Sequence, residues 1–384
     1  MAQFKSYRFV GTTGQNTTLL AALAAGALAA VLAAAPSAHG TTYNITWLGC
    51  LTSGSYSGSI AYGISDSGQV VGTSGGFVLS LGAEGITGHA FLYSGGVMQD
   101  LGTLGGAKSI ATGINDSGQI VGDSITGSGP YHAFLYSRGA MSDMGTLGAN
   151  ASGGNVSFAT GINNSGQVVG ESTSSSDLYY HAFLSSGGAM LDLGAINATA
   201  INDAGQVVGN STSSSGHQHA FLYSGGAMQD LGTLPGGSSS YASGINDAGQ
   251  VVGRSSTSSS GDMHAFLYSG NTMQDLGTLG GGNSSIAFGI NDSGQIVGAS
   301  GGNAFLYSGG VMQDLNLLVP AISNSLLLSA TAINNLGDIV GYGAHQGHVR
   351  EAFLLTPTTP EPAPLALMAI AGAGMLLLRK RRSV

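Results

Sequence analysis

A single cysteine, Cys50, stands in 384 residues. No disulfide can form within the chain, so its stability does not rest on such staples. Charge is almost as scarce, at 8% of the residues. Of ten basic residues, Lys5, Arg8, Arg379, Lys380, Arg381 and Arg382 lie near the two ends. Lys108, Arg138, Arg254 and Arg350 remain between them against nineteen acidic residues, a balance of −15. Such a body repels phosphate backbones and has no basic stripe, which excludes nucleic acid as a partner. Helical periodicity is missing from the interior, which argues against helices there.

What is present is a phrase repeated seven times. It reads GISDSGQVVG at Gly63–Gly72, GINDSGQIVG at Gly113–Gly122 and GINNSGQVVG at Gly161–Gly170. AINDAGQVVG (Ala200–Gly209), GINDAGQVVG (Gly244–Gly253), GINDSGQIVG (Gly289–Gly298) and the degenerate AINNLGDIVG (Ala332–Gly341) complete the series. The shared Ile positions step by 50, 48, 39, 44, 45 and 43 residues. A period in this range marks an array of supersecondary units. The strict recurrence of apolar residues separates the chain from disordered low-complexity sequence.

Each unit predicts four short strands, with turns as punctuation. Strand A is the Ala-Thr-Gly-Ile type, closed by an Asn-Asp-Ser-Gly turn that suits a tight hairpin. Strand B is Gln-Val-Val-Gly. Strand C is His-Ala-Phe-Leu-Tyr-Ser, as at His89–Ser94, and strand D is Met-Gln-Asp-Leu-Gly-Thr-Leu, as at Met98–Leu104. The strands read apolar on both faces, as expected of sheets covered on both sides. Four-stranded units of about 45 residues argue for an all-β, seven-bladed β-propeller; a β-solenoid is the alternative. The seventh unit ends at Phe353-Leu354-Leu355 without a strand D. Thr46–Leu51 aligns with Gln99–Leu104, so residues 43–51 are expected to pair near Glu351–Leu355 and close the ring with the N-terminal strand, leaving no open edge.

Two resemblances follow from these residues. The AFLYS-GG-MQDLGTLGG-A-GIND-GQVVG pattern resembles the extracellular HAF repeat of bacterial surface proteins over roughly 46–355. That implies an extracellular location and a propeller, but no reaction. At the C-terminus, Pro360-Glu361-Pro362 precedes the uncharged run Ala363–Leu378 and then the basic tail Arg379, Lys380, Arg381, Arg382. The order resembles the PEP-CTERM sorting signal of Gram-negative bacteria, which implies recognition and cleavage by an exosortase. The uncharged run would reach about 24 Å as a helix, short of the roughly 30 Å hydrocarbon core. It is therefore expected to make a transient inner-membrane contact with its basic tail inside; an ordinary membrane anchor is the alternative. Lys5 and Arg8 ahead of the apolar run Leu19–Ala35 read as an export signal. The expected division is 1–40 signal peptide, 41–357 propeller and 358–384 sorting segment.

Candidate sites are sparse. His89, His132, His181, His219 and His264 recur once per unit. Equivalent positions in stacked sheets lie about 10 Å apart, too far to share one zinc ion, so a hydrogen-bonding role at the start of strand C is expected. No metal site is assigned: the pairs His217/His219 and His345/His348 lack a clear third ligand. The Asn-Asp turns lack the EF-hand spacing. Asx-turn chemistry accounts for them, with calcium between blades the alternative and no other cofactor. If strand A is innermost, segments such as Ala61-Tyr62-Gly63 and Ala111-Thr112-Gly113 give an uncharged channel with no room for paired carboxylates or a nucleophile and base, so no catalytic residue is assigned. The A–B and C–D turns are monotonous, whereas the B–C and D–A connections vary: Thr73–Gly88, Asp123–Tyr131, Glu171–Tyr180, Asn210–Gln218, Arg254–Met263 and Leu317–Ser329. A ligand is expected on that varied face, with Tyr131, Tyr179, Tyr180, His217, Tyr241 and Arg254 as contacts suited to sugar or peptide. The expected function is a secreted surface or matrix module that binds exopolysaccharide or a surface protein. A polysaccharide hydrolase or lyase, or a purely structural envelope protein, is the alternative.

Overall fold

The computed structural model describes residues 41–52, 57–80, 83–149, 154–175, 179–258, 261–321 and 324–358. The expected export signal and the sorting segment beyond Thr358, including Pro360, Glu361, Pro362 and the basic tail, lie outside the described residues. No helix among the described residues is long and apolar enough to cross a membrane.

Seven four-stranded antiparallel sheets form the ring. Blade 2 shows the pattern: strand A Gly105–Ile114, B Ile120–Thr126, C Tyr131–Ser137 and D Ala140–Asp143, hydrogen-bonded in that order. The A strands of successive blades touch all the way round and line the central channel. Each strand A slips its register by one residue, between Ala111 and Gly113 in blade 2 and at the same place in every other blade. A bulge re-aims the extra side chain. Tyr62, Thr112, Thr160, Thr199, Ser243, Phe288 and Thr331 are those extra residues, and they line the channel cavities.

The repeated phrases fit one another sterically. A Cβ added at Gly72, the glycine of Val-Val-Gly, would collide with the Ile60 carbonyl and lie 2.8 Å from the ring of Phe91 on strand C. All seven equivalent glycines face the same collision with strand A. The Phe of each strand C is fully buried. Seven apolar clusters form the core, each built from two neighbouring blades: Val71 and Ala90 of blade 1 pack with Ala111, Ile120 and Phe134 of blade 2. Strand B is buried on both faces, as expected, while strand A alternates buried and half-exposed positions because its open edge meets the channel.

The ring closes as the end alignment predicts. Tyr43–Trp47 pairs antiparallel with the last strand, from Tyr43↔Pro357 to Trp47↔Phe353. Leu48 N donates to Ala352 O and Leu51 N to Ser74 Oγ. These repeat the bonds of Leu101 N to Ala90 O and Leu104 N to Ser124 Oγ elsewhere in the ring. Trp47 stacks on His345 at 4.3 Å, and His345 Nδ1 donates to Glu351, 2.8 Å away.

Two expectations need correction. Strand D is four residues long and stops at the Asp, as in Val97–Asp100. The Leu-Gly-Thr-Leu that follows crosses to the next blade, because Asp100 accepts the N–H of Gly102, which turns the chain at φ 75°, and Leu104 N is held by Ser124. The stretch expected as the loop Thr73–Gly88 is instead a hairpin extension, with strands Val70–Ser80 and Ala83–Ser94 paired down to Ser80↔Ala83.

Candidate functional site at the channel mouth

The two faces of the ring are chemically unlike. On the A–B turn face, the second turn residue of each blade donates its backbone N–H to the side chain of its counterpart in the next: Asp66 to Asp116, Asp116 to Asn164, Asn164 to Asp203, Asp203 to Asp247, Asp247 to Asp292, Asp292 to Asn335, and Asn335 back to Asp66. All seven bonds measure 2.8–3.0 Å. A second circuit runs through the preceding asparagines. Asn115 Nδ2 donates to Asn163 O, and the pattern continues to Asn334 and the Ser65 carbonyl. It breaks only where Ser65 replaces Asn. The Asx turns are thus inter-blade latches as well as local turns, a role invisible in one repeat.

The histidines act as clips within each blade. Nδ1 of His89, His132, His181, His219 and His264 donates to Asp100, Asp143, Asp192, Asp230 and Asp275 at 2.7–2.9 Å, fixing strand D to strand C. His348 Nδ1 donates to Ser57 O at 2.9 Å. Among the described residues no group of three or more His, Cys, Asp or Glu is arranged to hold a metal ion. Burial pushes the Cys50 thiol up, which keeps it as an unreactive thiol beside Ser59.

The opposite face carries the variation. Three positions per blade differ while their neighbours repeat: the residue before the strand A Ala, the bulge residue after it, and the residue after Val-Val-Gly. The last is Thr73, Asp123, Glu171, Asn210, Arg254, Ala299 and Tyr342 in chain order. Some of these positions line a cavity of about 400 Å³ at the channel mouth: rings (Tyr62, Phe288, Tyr342), hydroxyls (Thr112, Thr160, Ser243, Ser329, Thr331), Ile60 and Arg350. The Arg350 guanidinium lies 5.2 Å from the Tyr342 ring centre. The strand A wall is uncharged as expected, but its rim is not.

Asp123, whose charge reaches Tyr62 of this lining, is the most unusual group nearby. It is 8% exposed and makes no hydrogen bond or ion pair among the described residues. Burial lifts its carboxyl to about 7. Its equivalents are differently placed: Asn210 Oδ1 accepts from Ala242 N at 3.1 Å, and Thr73 Oγ1 donates to Ser109 O at 3.3 Å. Burial also pushes up the Glu171 carboxyl one blade on, and the phenols of Tyr131 and Tyr62. The charge of Asp123 adds to the rise at both phenols, and at Tyr62 Arg350 opposes it. A desolvated carboxyl without a partner is costly in a fold, which makes Asp123 a candidate functional position.

The anticipated contacts divide into two groups. Tyr131 and Tyr180 flank Phe158, with ring centres 5.9 and 6.1 Å apart, bridging blades 2 and 3. Tyr241 and Arg254 are cross-strand partners with the guanidinium 5.1 Å from the ring centre. Tyr179 and His217 are exposed near the start of strand C in blades 3 and 4, outside these two groups. The sequence does not single out Asp123, Glu171, Phe158 or Tyr342 as contacts, and Tyr62 enters it only as part of the uncharged channel lining. Their signal was present as the variable letter in Val-Val-Gly-x and beside the strand A Ala, inside a motif read for its constancy.

No protein-family model matches the chain, and no curated protein is similar to it. Solved structures of similar shape include TolB from Acinetobacter baumannii, 13% identical, covering 79% of this chain and 65% of that one, with a TM-score of 0.38. The β-propeller domain of the Trilobed protease from Pyrococcus furiosus is 10% identical, with 79% and 100% covered and a TM-score of 0.43. Trypanosoma rangeli sialidase in complex with the inhibitor DANA is 12% identical, with 85% and 56% covered and a TM-score of 0.34. The chain thus spans 65% of the length of TolB. At these identities the likeness concerns the fold alone.

Proposed function

We propose that the protein is an exported surface or matrix module that binds polysaccharide at the channel mouth. One observation carries this reading: aromatic rings, hydroxyls and the Arg350 guanidinium line a single cavity, while the opposite face is spent on seven near-identical latches. Rings beside hydroxyls and a few charged groups suit sugars, which stack on aromatic faces and hydrogen-bond at their edges. The export reading rests on the two terminal segments, with an exosortase-type enzyme as processing partner and a transient membrane contact through Ala363–Leu378. The test mixes the propeller, residues 41–358, with soluble polysaccharides and follows co-precipitation and release of reducing ends. Saturable co-precipitation without release is the expected result; its absence for every polysaccharide would overturn the reading. A glycosidase or lyase is the second reading, favoured by Asp123, whose lifted carboxyl could act as a general acid near neutral pH, and by Glu171. Release of reducing ends would select it.

A further inference from the structure

The sector of the mouth between blades 2 and 3 has a chemistry the other sectors lack, and the inference from it rests on the polysaccharide reading. Asp123 is nine-tenths buried with no partner, and neither a lysine nor an arginine pairs with it. Its surroundings are aromatic: Tyr131 and Tyr62 feel its charge, and Phe158 and Tyr180 continue the apolar wall from Tyr131. Glu171, also without a hydrogen bond, is the cross-strand partner of Phe158. Arg254 and Arg350 belong to blades 5 and 7, where each lies over its own tyrosine. Arg350 also acts on Tyr62, so the guanidinium and the Asp123 carboxyl face that ring from neighbouring blades without pairing with each other.

A ligand that completes the acidic side must bring positive charge to a largely desolvated carboxylate. A metal ion is a poor match, since hard cations take six or more oxygens and rings supply none. An ammonium group fits better. Its N–H donors satisfy a carboxylate through short charge-assisted bonds, and its charge is attracted to ring faces within about 6 Å. The −15 balance of the body draws such a ligand in. We propose that this sector is a subsite for a protonated amine carried on a sugar, that is, for a hexosamine unit whose nitrogen is not acylated. An acetamido group offers a neutral amide in its place and leaves the Asp123 charge unanswered.

The test is isothermal titration near neutral pH with a glucosamine hexamer, its fully N-acetylated counterpart and an oligo-uronate. Wild-type protein should bind the free-amine hexamer at least about tenfold more tightly than the acetylated one, a difference of about 1.4 kcal/mol. Asp123→Asn should bring the two within about threefold, because the amide cannot answer a cation. Asp203→Asn, which removes one charge from the turn face, should leave the ratio unchanged, separating a local contact from the general field of the protein. Equal binding of the two hexamers, a preference for the oligo-uronate, or a preference that survives Asp123→Asn would overturn the amine subsite and leave the polysaccharide reading standing. Failure to bind any of the three, together with no binding to other polysaccharides, would overturn both.

Discussion

Asp123→Asn should make the protein more stable at neutral and alkaline pH. The carboxyl titrates near 3.8 when free and at about 7 in the fold, and burial is the cause. At 1.36 kcal/mol per pKa unit, a lift of about three units corresponds to roughly 4 kcal/mol between the two protonation states. Water entry and the unmet hydrogen bonds of the new amide reduce that, so about 2–4 kcal/mol is expected. The sign follows from linkage. Below about pH 4 both folded and unfolded forms hold the proton, and the two proteins should be equally stable. As pH rises through the window from about 4 to 7, the unfolded wild type loses its proton while the folded form keeps it, so wild-type stability falls relative to the variant. Above about pH 7 the gap stays constant. Urea unfolding of both proteins at pH 4, 6 and 8 measures it, with the variant's midpoint rising only at the higher values. A gap that is the same at every pH, or a variant less stable at pH 8, would mean that Asp123 is held by a partner and would refute the argument. A carboxylate retained at such a cost is best explained by a ligand that answers it.

Other perturbations test the architecture. Gly72→Ala drives a methyl into the Ile60 carbonyl and the Phe91 ring and should cost more than about 3 kcal/mol, seen as a large drop in Tm or loss of soluble protein. Asp203→Ala removes the acceptor for the Asn164 N–H and a contact to Asn164 Nδ2; it should cost about 1–2 kcal/mol by urea unfolding, and a neutral result would deny the latch its role. The closing strand buries Tyr43 Oη and Trp47 Nε1 without partners among the described residues, making it the weakest seam. Trp47, the single tryptophan, should therefore shift its fluorescence to the red at a lower urea concentration than far-UV circular dichroism is lost, and coincident transitions would contradict this. Burial pushes Tyr43 to about 12, so stability should fall as pH rises from about 10 to 12, and Tyr43→Phe should abolish that component.

The fold was legible because the repeat exposes its own grammar. Ile64 to Ile333 count the blades, and Thr46–Leu51 matches the strand missing after Leu355. Strand D was read too long because Leu101 and Leu104 continue an apolar pattern; only the next blade's Ser124 shows that the chain has already left the sheet. The blade 1 hairpin was missed because Gly and Ser between Thr73 and Gly88 read as a loop, although the same residues can pair across strands. The site was half legible. Exposed aromatic residues in the connections mark the varied face, whereas Asp123 and Glu171 sit inside the repeated motif. Their significance is desolvation, which depends on the neighbouring blade and leaves no mark in local sequence.

The most direct test of the account compares oligosaccharide affinity in two variants of opposite faces, Tyr342→Ala at the mouth and Asp203→Asn on the turn ring. Tyr342 lines the cavity and carries Arg350 over its ring, so its loss should weaken binding at least about tenfold, while Asp203→Asn leaves affinity within about twofold. Full affinity in Tyr342→Ala with loss in Asp203→Asn would place the ligand on the wrong face and contradict the account.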